Sequence, residues 1–112
     1  MDAKKLLHFQ RKLRYTVKNI SGTQSWHYHG KIHRDSDKPA VIMEDGTRHW
    51  YWYGKCHRND DKPAIIFFGG FRLWFQYDKR HRDNNKPAVI WPGGFQEWYK
   101  HGRCYGKGSL VE

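Results

Sequence analysis

Apolar and polar positions along this chain recur in copied blocks. Residues 64–68 (AIIFF) form an apolar run, Gly69-Gly70 follows, and residues 71–77 (FRLWFQY) alternate large apolar with polar side chains. An apolar run, a glycine pair and an alternating aromatic run read as strand, turn and strand. A two-residue hairpin turn needs positive φ at both central positions, and Gly69-Gly70 and Asp45-Gly46 suit it. Trp26, Trp50, Trp74 and Trp98 stand 24 residues apart. Aligned on them, the chain reads WHYHGKIHRDSDKPAVIMEDGTRH, WYWYGKCHRNDDKPAIIFFGGFRL and WFQYDKRHRDNNKPAVIWPGGFQE, then a shortened WYKHGRCYG. Self-similarity at a fixed period in the twenties predicts a stacked array of one small unit.

The expected fold is all-β: stacked antiparallel β-hairpins in a single-layer sheet, one hairpin per 24-residue unit. The stretch DKRHRDNNKP (78–87) reads as an irregular loop between hairpins, with Pro87 fixing an extended entry to the next strand. The repeat domain spans 15–112, as a partial unit 15–25, repeats 26–49, 50–73 and 74–97, and a truncated unit 98–106. Residues 1–14 stand apart. In KKLLHFQRKLR (4–14), Leu6, Phe9 and Leu13 fall at helical spacing among Lys and Arg, which predicts a short basic amphipathic helix. So short a helix must dock, either over an open end of the array or on a partner or membrane surface.

Strand alternation assigns the faces. Trp26, Trp50, Trp74 and Trp98 share one with Gln24, Arg48, Arg72 and Gln96. The other drifts from Thr23, Ser25 and His27 to Phe71, Leu73, Phe75 and Phe95 in the later units. A single-layer sheet cannot bury both faces, so that apolar patch needs cover, and an unfinished last unit leaves an edge strand. Both point to a homodimer through Phe71, Leu73, Phe75, Phe95, Trp98, Tyr99 and Tyr105.

Size and composition narrow the class. At 112 residues the chain forms one domain, with 17% aromatic residues supplying contact area in place of aliphatics. No run nears the ~18 apolar residues of a membrane span and no signal peptide is visible, so a soluble protein is expected, intracellular or packaged in a particle assembled in a cytosol. Cys56 and Cys104 lie two periods apart, roughly 19 Å at strand spacing, too far for a disulfide. Two free thiols in a reducing compartment are expected.

Charge adds a partner class. The net charge is +10, half of it within residues 1–20. Lys31, Lys55, Lys79 and Arg103 form one basic column, Arg34, Arg58 and Arg82 a second, and Lys38, Lys62 and Lys86 a third. Evenly spaced cations neutralise phosphates without reading sequence, and aromatic rings stack on unpaired bases. The candidate nucleic-acid contacts are Lys4, Lys5, Arg11, Lys12 and Arg14 with Lys31, Lys55, Lys79 and Arg103. Against this, Asp35, Asp37, Asp60, Asp61 and Asp83 sit in the same loops and cancel much of the charge.

The recurring His-Arg pairs at 33–34, 57–58 and 81–82 invite a metal or catalytic reading. Equivalent histidines should lie ~10 Å apart, while ligands of one ion approach it within ~2.1 Å, so no metal and no cofactor are expected. The alternative is a ladder in which each His and Arg pairs with Asp35, Asp60, Asp61 or Asp83 and with loop carbonyls. No GxSxG, HExxH, P-loop or CxxC is present, and Cys56 and His57 as strand neighbours point apart, so no enzyme is expected.

The unit W-Y-x-x-G-K-x-H-R-x-x-x-K-P-A-(V/I)-I-x-x-x-G resembles the MORN-variant repeats of large DNA viruses of amoebae, the marseilleviruses in particular, over residues 15–105. It departs from the usual unit in having His-Arg where His-Gly is common, and Asp78 where Gly30, Gly54 and Gly102 stand. The resemblance implies a β-hairpin array without enzymatic activity that associates through protein contacts. In a viral setting it implies a virion component near the genome, binding nucleic acid without sequence specificity, in the virion or the host cytoplasm. The alternative is a protein-interaction scaffold or host-interaction adaptor with no nucleic-acid role.

Overall fold

The computed structural model describes residues 15–109, which are all-β, with no helix among them. The helix expected over residues 1–14, with Lys4, Lys5, Arg11, Lys12 and Arg14, lies outside the described residues. The strands in chain order are β1 (Tyr15–Ile20), β2 (Thr23–Tyr28), β3 (Lys31–Ile32), β4 (Val41–Ile42), β5 (Arg48–His49), β6 (Tyr51–Trp52) and β7 (Lys55–Cys56). They continue as β8 (Ile65–Ile66), β9 (Arg72–Leu73), β10 (Phe75–Gln76), β11 (Lys79–Arg80), β12 (Val89–Ile90), β13 (Phe95–Lys100) and β14 (Arg103–Ser109). One antiparallel sheet runs β1-β2-β4-β5-β8-β9-β12-β13-β14, with β3 paired to β2. The pairs β6-β7 and β10-β11 form two small sheets of their own. The assembly is elongated, 59 × 31 × 22 Å.

Two kinds of hairpin alternate, where one was expected. In β4-β5 the Gly46 N–H donates to the Met43 carbonyl (2.9 Å) and the Met43 N–H to the Thr47 carbonyl (2.8 Å). Phe67, Gly70 and Phe71 repeat this between β8 and β9. Gly46 and Gly70 are left-handed, both at φ 93°, but Gly69 is not. These are three-residue loops ending in one left-handed glycine, not the two-residue turns expected of Asp-Gly and Gly-Gly. True two-residue turns with two positive φ close other hairpins, among them His29-Gly30, Tyr53-Gly54 and Tyr77-Asp78. They join β2 to β3, β6 to β7 and β10 to β11.

The run 71–77 is therefore not one strand. It breaks at Trp74, whose N–H donates to the Ala88 carbonyl (2.8 Å) and whose carbonyl accepts the His81 N–H (3.1 Å). Beyond that break the chain leaves the main sheet and folds back as β10-β11, so part of the expected irregular loop is a hairpin. Trp50 does the same with Ala64 and His57. The Ala of each Lys-Pro-Ala is sealed: Ala40, Ala64 and Ala88 are fully buried, their N–H groups donating to His49, Leu73 and Glu97 carbonyls.

Cross-strand register aligns Val41, His49, Ile65, Leu73, Val89 and Glu97 on one face. Leu73 and Val89 are buried within the chain (5% and 1% exposed), so Leu73 is not available to a second copy. Part of the expected patch is covered by its own neighbours, since Phe71 stacks on Phe67 (5.1 Å) and Trp91 (4.1 Å). The unfinished last unit does not leave β13 open either. β14 pairs along it from Phe95–Ser109 to Lys100–Arg103, with an irregularity between Trp98 and Tyr99. The edge passes to β14, where Gly106, Lys107 and Gly108 make a poor template for further strand pairing.

Candidate functional site

The side-chain chemistry of this protein is concentrated where the loops following β3, β7 and β11 meet the tryptophans. Each guanidinium of the second basic column lies flat on an indole eight residues before it: Arg34 on Trp26 (3.8 Å), Arg58 on Trp50 (3.7 Å) and Arg82 on Trp74 (3.9 Å). Guanidinium over indole is the favoured cation–π geometry, stabilising by about 0.5–2 kcal/mol according to desolvation. Nη1 of each then donates to the proline carbonyl five residues on, Pro39, Pro63 and Pro87, at 3.2, 3.1 and 3.0 Å. Stack and hydrogen bond together fix the plane of the ring and leave Nε and Nη2 facing one direction.

What they face comes from the unit before. Arg58 Nε and Nη2 donate to Asp37 (2.9 and 3.2 Å), and Lys62 Nζ reaches the same carboxylate at 2.8 Å. Arg82 and Lys86 hold Asp61 in the same way, at 2.8, 3.3 and 3.0 Å. The aspartate is also held by its backbone: Trp50 Nε1–H donates to the Asp37 carbonyl (3.1 Å) and Trp74 Nε1–H to that of Asp61 (3.0 Å). Hydrogen bonds from the arginine lead the causes that hold both carboxyls down at about 2. Both are some 40% exposed, so solvent screens these pairs and limits each to about 1 kcal/mol.

The histidines form a second inter-unit ladder. His33, His57 and His81 are buried, and each Nδ1 accepts a backbone N–H from the following unit: Tyr53 (3.0 Å), Tyr77 (3.2 Å) and His101 (2.9 Å). An accepting Nδ1 puts the proton on Nε2, which donates to Asp35, Asn59 and Asp83 at 2.7–2.8 Å. The imidazole is thus neutral, and these contacts are hydrogen bonds rather than ion pairs. The ring of the donor residue covers each imidazole, Tyr53 on His33 at 4.0 Å and Tyr77 on His57 at 4.1 Å. Both ring nitrogens of all three are committed to structure.

The ladder expected from sequence is present, with the expected partners at His33–Asp35, His81–Asp83 and Arg82–Asp61 and different ones elsewhere. The arginine partners are Asp37 and Asp61 of the preceding unit, and His57 uses Asn59 rather than Asp60 or Asp61. A pairing 21 residues back leaves no local signal. Asp78, flagged as a departure from glycine, sits left-handed at φ 70° and accepts the Cys56 N–H at 2.7 Å, a bond no glycine makes. Burial, then Asp78, pushes the Cys56 thiol up to about 12, so it stays protonated at neutral pH. Cys56 is buried, Cys104 is exposed, and both are free.

The remaining expected site residues scatter. Lys31, Lys55, Lys79 and Arg103 are exposed on β3, β7, β11 and β14, with no carboxylate partner among the described residues. Phe71, Phe75, Trp98 and Tyr99 are half-buried, while Phe95 and Tyr105 are exposed on the later strands. No helix among the described residues is long and apolar enough to cross a membrane. No protein-family model, curated protein or solved structure matches the chain.

Proposed function

We propose that this chain is a non-enzymatic scaffold of MORN-like 24-residue units that works by holding protein partners. The observation that carries this reading is the internal use of the residues nucleic acid would need. The indoles of Trp26, Trp50 and Trp74 lie under guanidiniums, so those faces offer no platform for a base. Arg58 and Lys62 share Asp37, and Arg82 and Lys86 share Asp61, so half of that positive charge is cancelled within the chain. Aromatic and aliphatic side chains also stay open, Met43, Trp91 and Phe95 each near 40% exposed. Such surfaces mark protein contacts. The resemblance to viral MORN-variant repeats supports a place in a virion or the host cytoplasm.

Light scattering and salt-varied pulldown test it. Self-association or partner binding through the apolar face persists as salt rises; association that disappears with salt would contradict the proposal.

One observation favours a second reading, non-sequence-specific nucleic-acid binding. Lys31, Lys55, Lys79 and Arg103 are exposed and unneutralised among the described residues. Four such contacts would give a log–log salt slope of about −3.6 on duplex DNA. A gel-shift series over several salt concentrations distinguishes the readings, because the scaffold predicts no duplex binding at low salt.

A further inference from the structure

The tryptophan–arginine–lysine clamp occurs three times, and its natural occupant is visible in two of them. At Trp50 the occupant is Asp37, which gives its backbone carbonyl to the indole and its carboxylate to Arg58 and Lys62. At Trp74 it is Asp61, held identically by Arg82 and Lys86. Both occupants are left-handed, at φ 53° and 56°, the second residue of a tight turn. One aspartate in one backbone conformation satisfies three side chains at once.

The first copy is built, and among the described residues it is open. Arg34 lies on Trp26 at 3.8 Å and its Nη1 donates to the Pro39 carbonyl at 3.2 Å, the two contacts that orient Arg58 and Arg82. Lys38 stands four residues beyond Arg34, as Lys62 does beyond Arg58. Among the described residues, Trp26 Nε1, Arg34 Nε and Nη2 and Lys38 Nζ have no hydrogen-bond or carboxylate partner, and Lys38 is exposed. Among the described residues no preceding loop fills it.

We propose that Trp26, Arg34 and Lys38 form a receptor for a single aspartate presented in a left-handed turn of a partner protein. The partner's carboxylate bridges Arg34 and Lys38, and its carbonyl accepts from Trp26. Two filled copies define the occupant. A glutamate would move its carboxylate one methylene further from the carbonyl that the indole reads, and a phosphodiester carries no carbonyl for it. Among the described residues, a second copy of this chain offers no free aspartate at the matching turn position. Its Asp37 and Asp61 are already held, and the loop at its far end presents Asn85, a neutral amide, where the aspartate would be. This inference rests on the scaffold reading and names the chemistry of its partner.

The test uses the full chain with nitrogen-15 label and a cyclic peptide closing residues 57–63 (HRNDDKP), the loop that carries Asp61. The readout is the indole N–H resonance of Trp26, assigned by its loss in Trp26→Phe. The peptide should shift that resonance saturably. Affinity should fall about tenfold or more with an Asp61→Asn peptide, and similarly with Arg34→Gln protein, the scale of one charge-assisted hydrogen bond. Lys38→Gln, at an exposed position, should weaken binding in the same direction and guards against a folding defect at Arg34. An unmoved Trp26 resonance at millimolar peptide overturns the proposal, as does equal binding of the asparagine peptide. Inorganic phosphate that displaces the peptide at equal concentration overturns it too, marking a general anion site. A partner that binds Arg34→Gln and Lys38→Gln as tightly as the parent chain would remove this site while leaving the scaffold reading standing.

Discussion

The middle of the array and its two ends use the same tryptophan and treat it differently. Trp50 and Trp74 are each 5% exposed, with an arginine on the ring face, a second arginine two residues earlier within 6 Å, and a preceding loop on the indole N–H. Trp26 has the arginine but, among the described residues, no preceding loop. Trp98 has the loop, its Nε1–H donating to the Asn85 carbonyl at 3.0 Å, but Gly106 stands where the arginine would be. Gly106 lies close enough that an added Cβ would touch the indole at 3.6 Å. The ends are therefore not equivalent truncations. One presents donors without an acceptor, the other an acceptor without donors. Position 85 carries an amide where positions 37 and 61 carry carboxylates.

The largest effect should come from the middle. Trp74→Ala removes a buried indole that packs on Arg82 and anchors the Asp61 loop, and should cost about 3–5 kcal/mol. Trp98→Ala, at a half-buried ring without an arginine, should cost roughly half as much. Urea unfolding of both variants measures the contrast, and equal losses would mean that the end is as tightly built as the middle.

Next comes the histidine ladder. His57→Ala leaves the Tyr77 N–H without its acceptor in a buried setting and uncovers the Tyr77 ring, at a cost of about 2–3 kcal/mol. His29→Ala, at an exposed turn residue, should stay within about 1 kcal/mol. Thermal unfolding compares the two, and a mild effect at His57 would show that the inter-unit bond is replaceable by water.

How much of this was legible is clearest at these residues. The tryptophan column and the strand-turn-strand reading follow from a period and from alternation, which survive in sequence because they are local. The second hairpin was missed because Tyr51–Trp52 and Lys55–Cys56 are two residues each, too short to alternate. Its signal was the glycine at 30, 54 and 102 with lysine or arginine after it, a two-residue turn read as part of a loop. The single left-handed position at Gly70 could not be told from two by composition. The sealed Ala40, Ala64 and Ala88 column was visible as Lys-Pro-Ala, but smallness gains meaning only once each Ala carbonyl accepts a Trp N–H and its own N–H donates to the next strand segment. The Arg58–Asp37 pairing depends on how far successive units are offset, which no single unit encodes.

A third effect, of about 1 kcal/mol per pair, separates the occupied clamps from the open one by pH. Asp37 and Asp61 have folded values near 2, below the usual carboxylate value of 3.8. A depressed carboxyl stabilises the fold in full above the unfolded value and loses that contribution as pH falls through the folded one. The acid loss from these two groups therefore lies between about pH 4 and pH 2. The double variant Asp37→Asn with Asp61→Asn should be slightly less stable at pH 7 and should show a shallower decline across that window. An unchanged pH slope would mean that the pairs contribute nothing.

The smallest effect bears most directly on the asymmetry of the ends. Asn85→Asp restores at the last loop the carboxylate that Asp37 and Asp61 provide in the first two. The left-handed φ of 55° at this position accepts aspartate as readily as asparagine, so backbone strain does not enter. A carboxylate gains from a clamp only where a stacked guanidinium has been fixed to meet it, and Gly106 fixes none. Stability should change by no more than about 0.5 kcal/mol, against up to about 1 kcal/mol lost on Asp61→Asn. In solution the same variant gives one copy a carboxylate for Arg34 and Lys38 of another copy, while the carbonyl at position 85 stays with Trp98. Light scattering of Asn85→Asp should therefore show head-to-tail association absent from the parent chain and suppressed by Arg34→Gln. Association that ignores Arg34→Gln would mean that the added carboxylate finds some other cation, and that the clamp at Trp26 does not receive it.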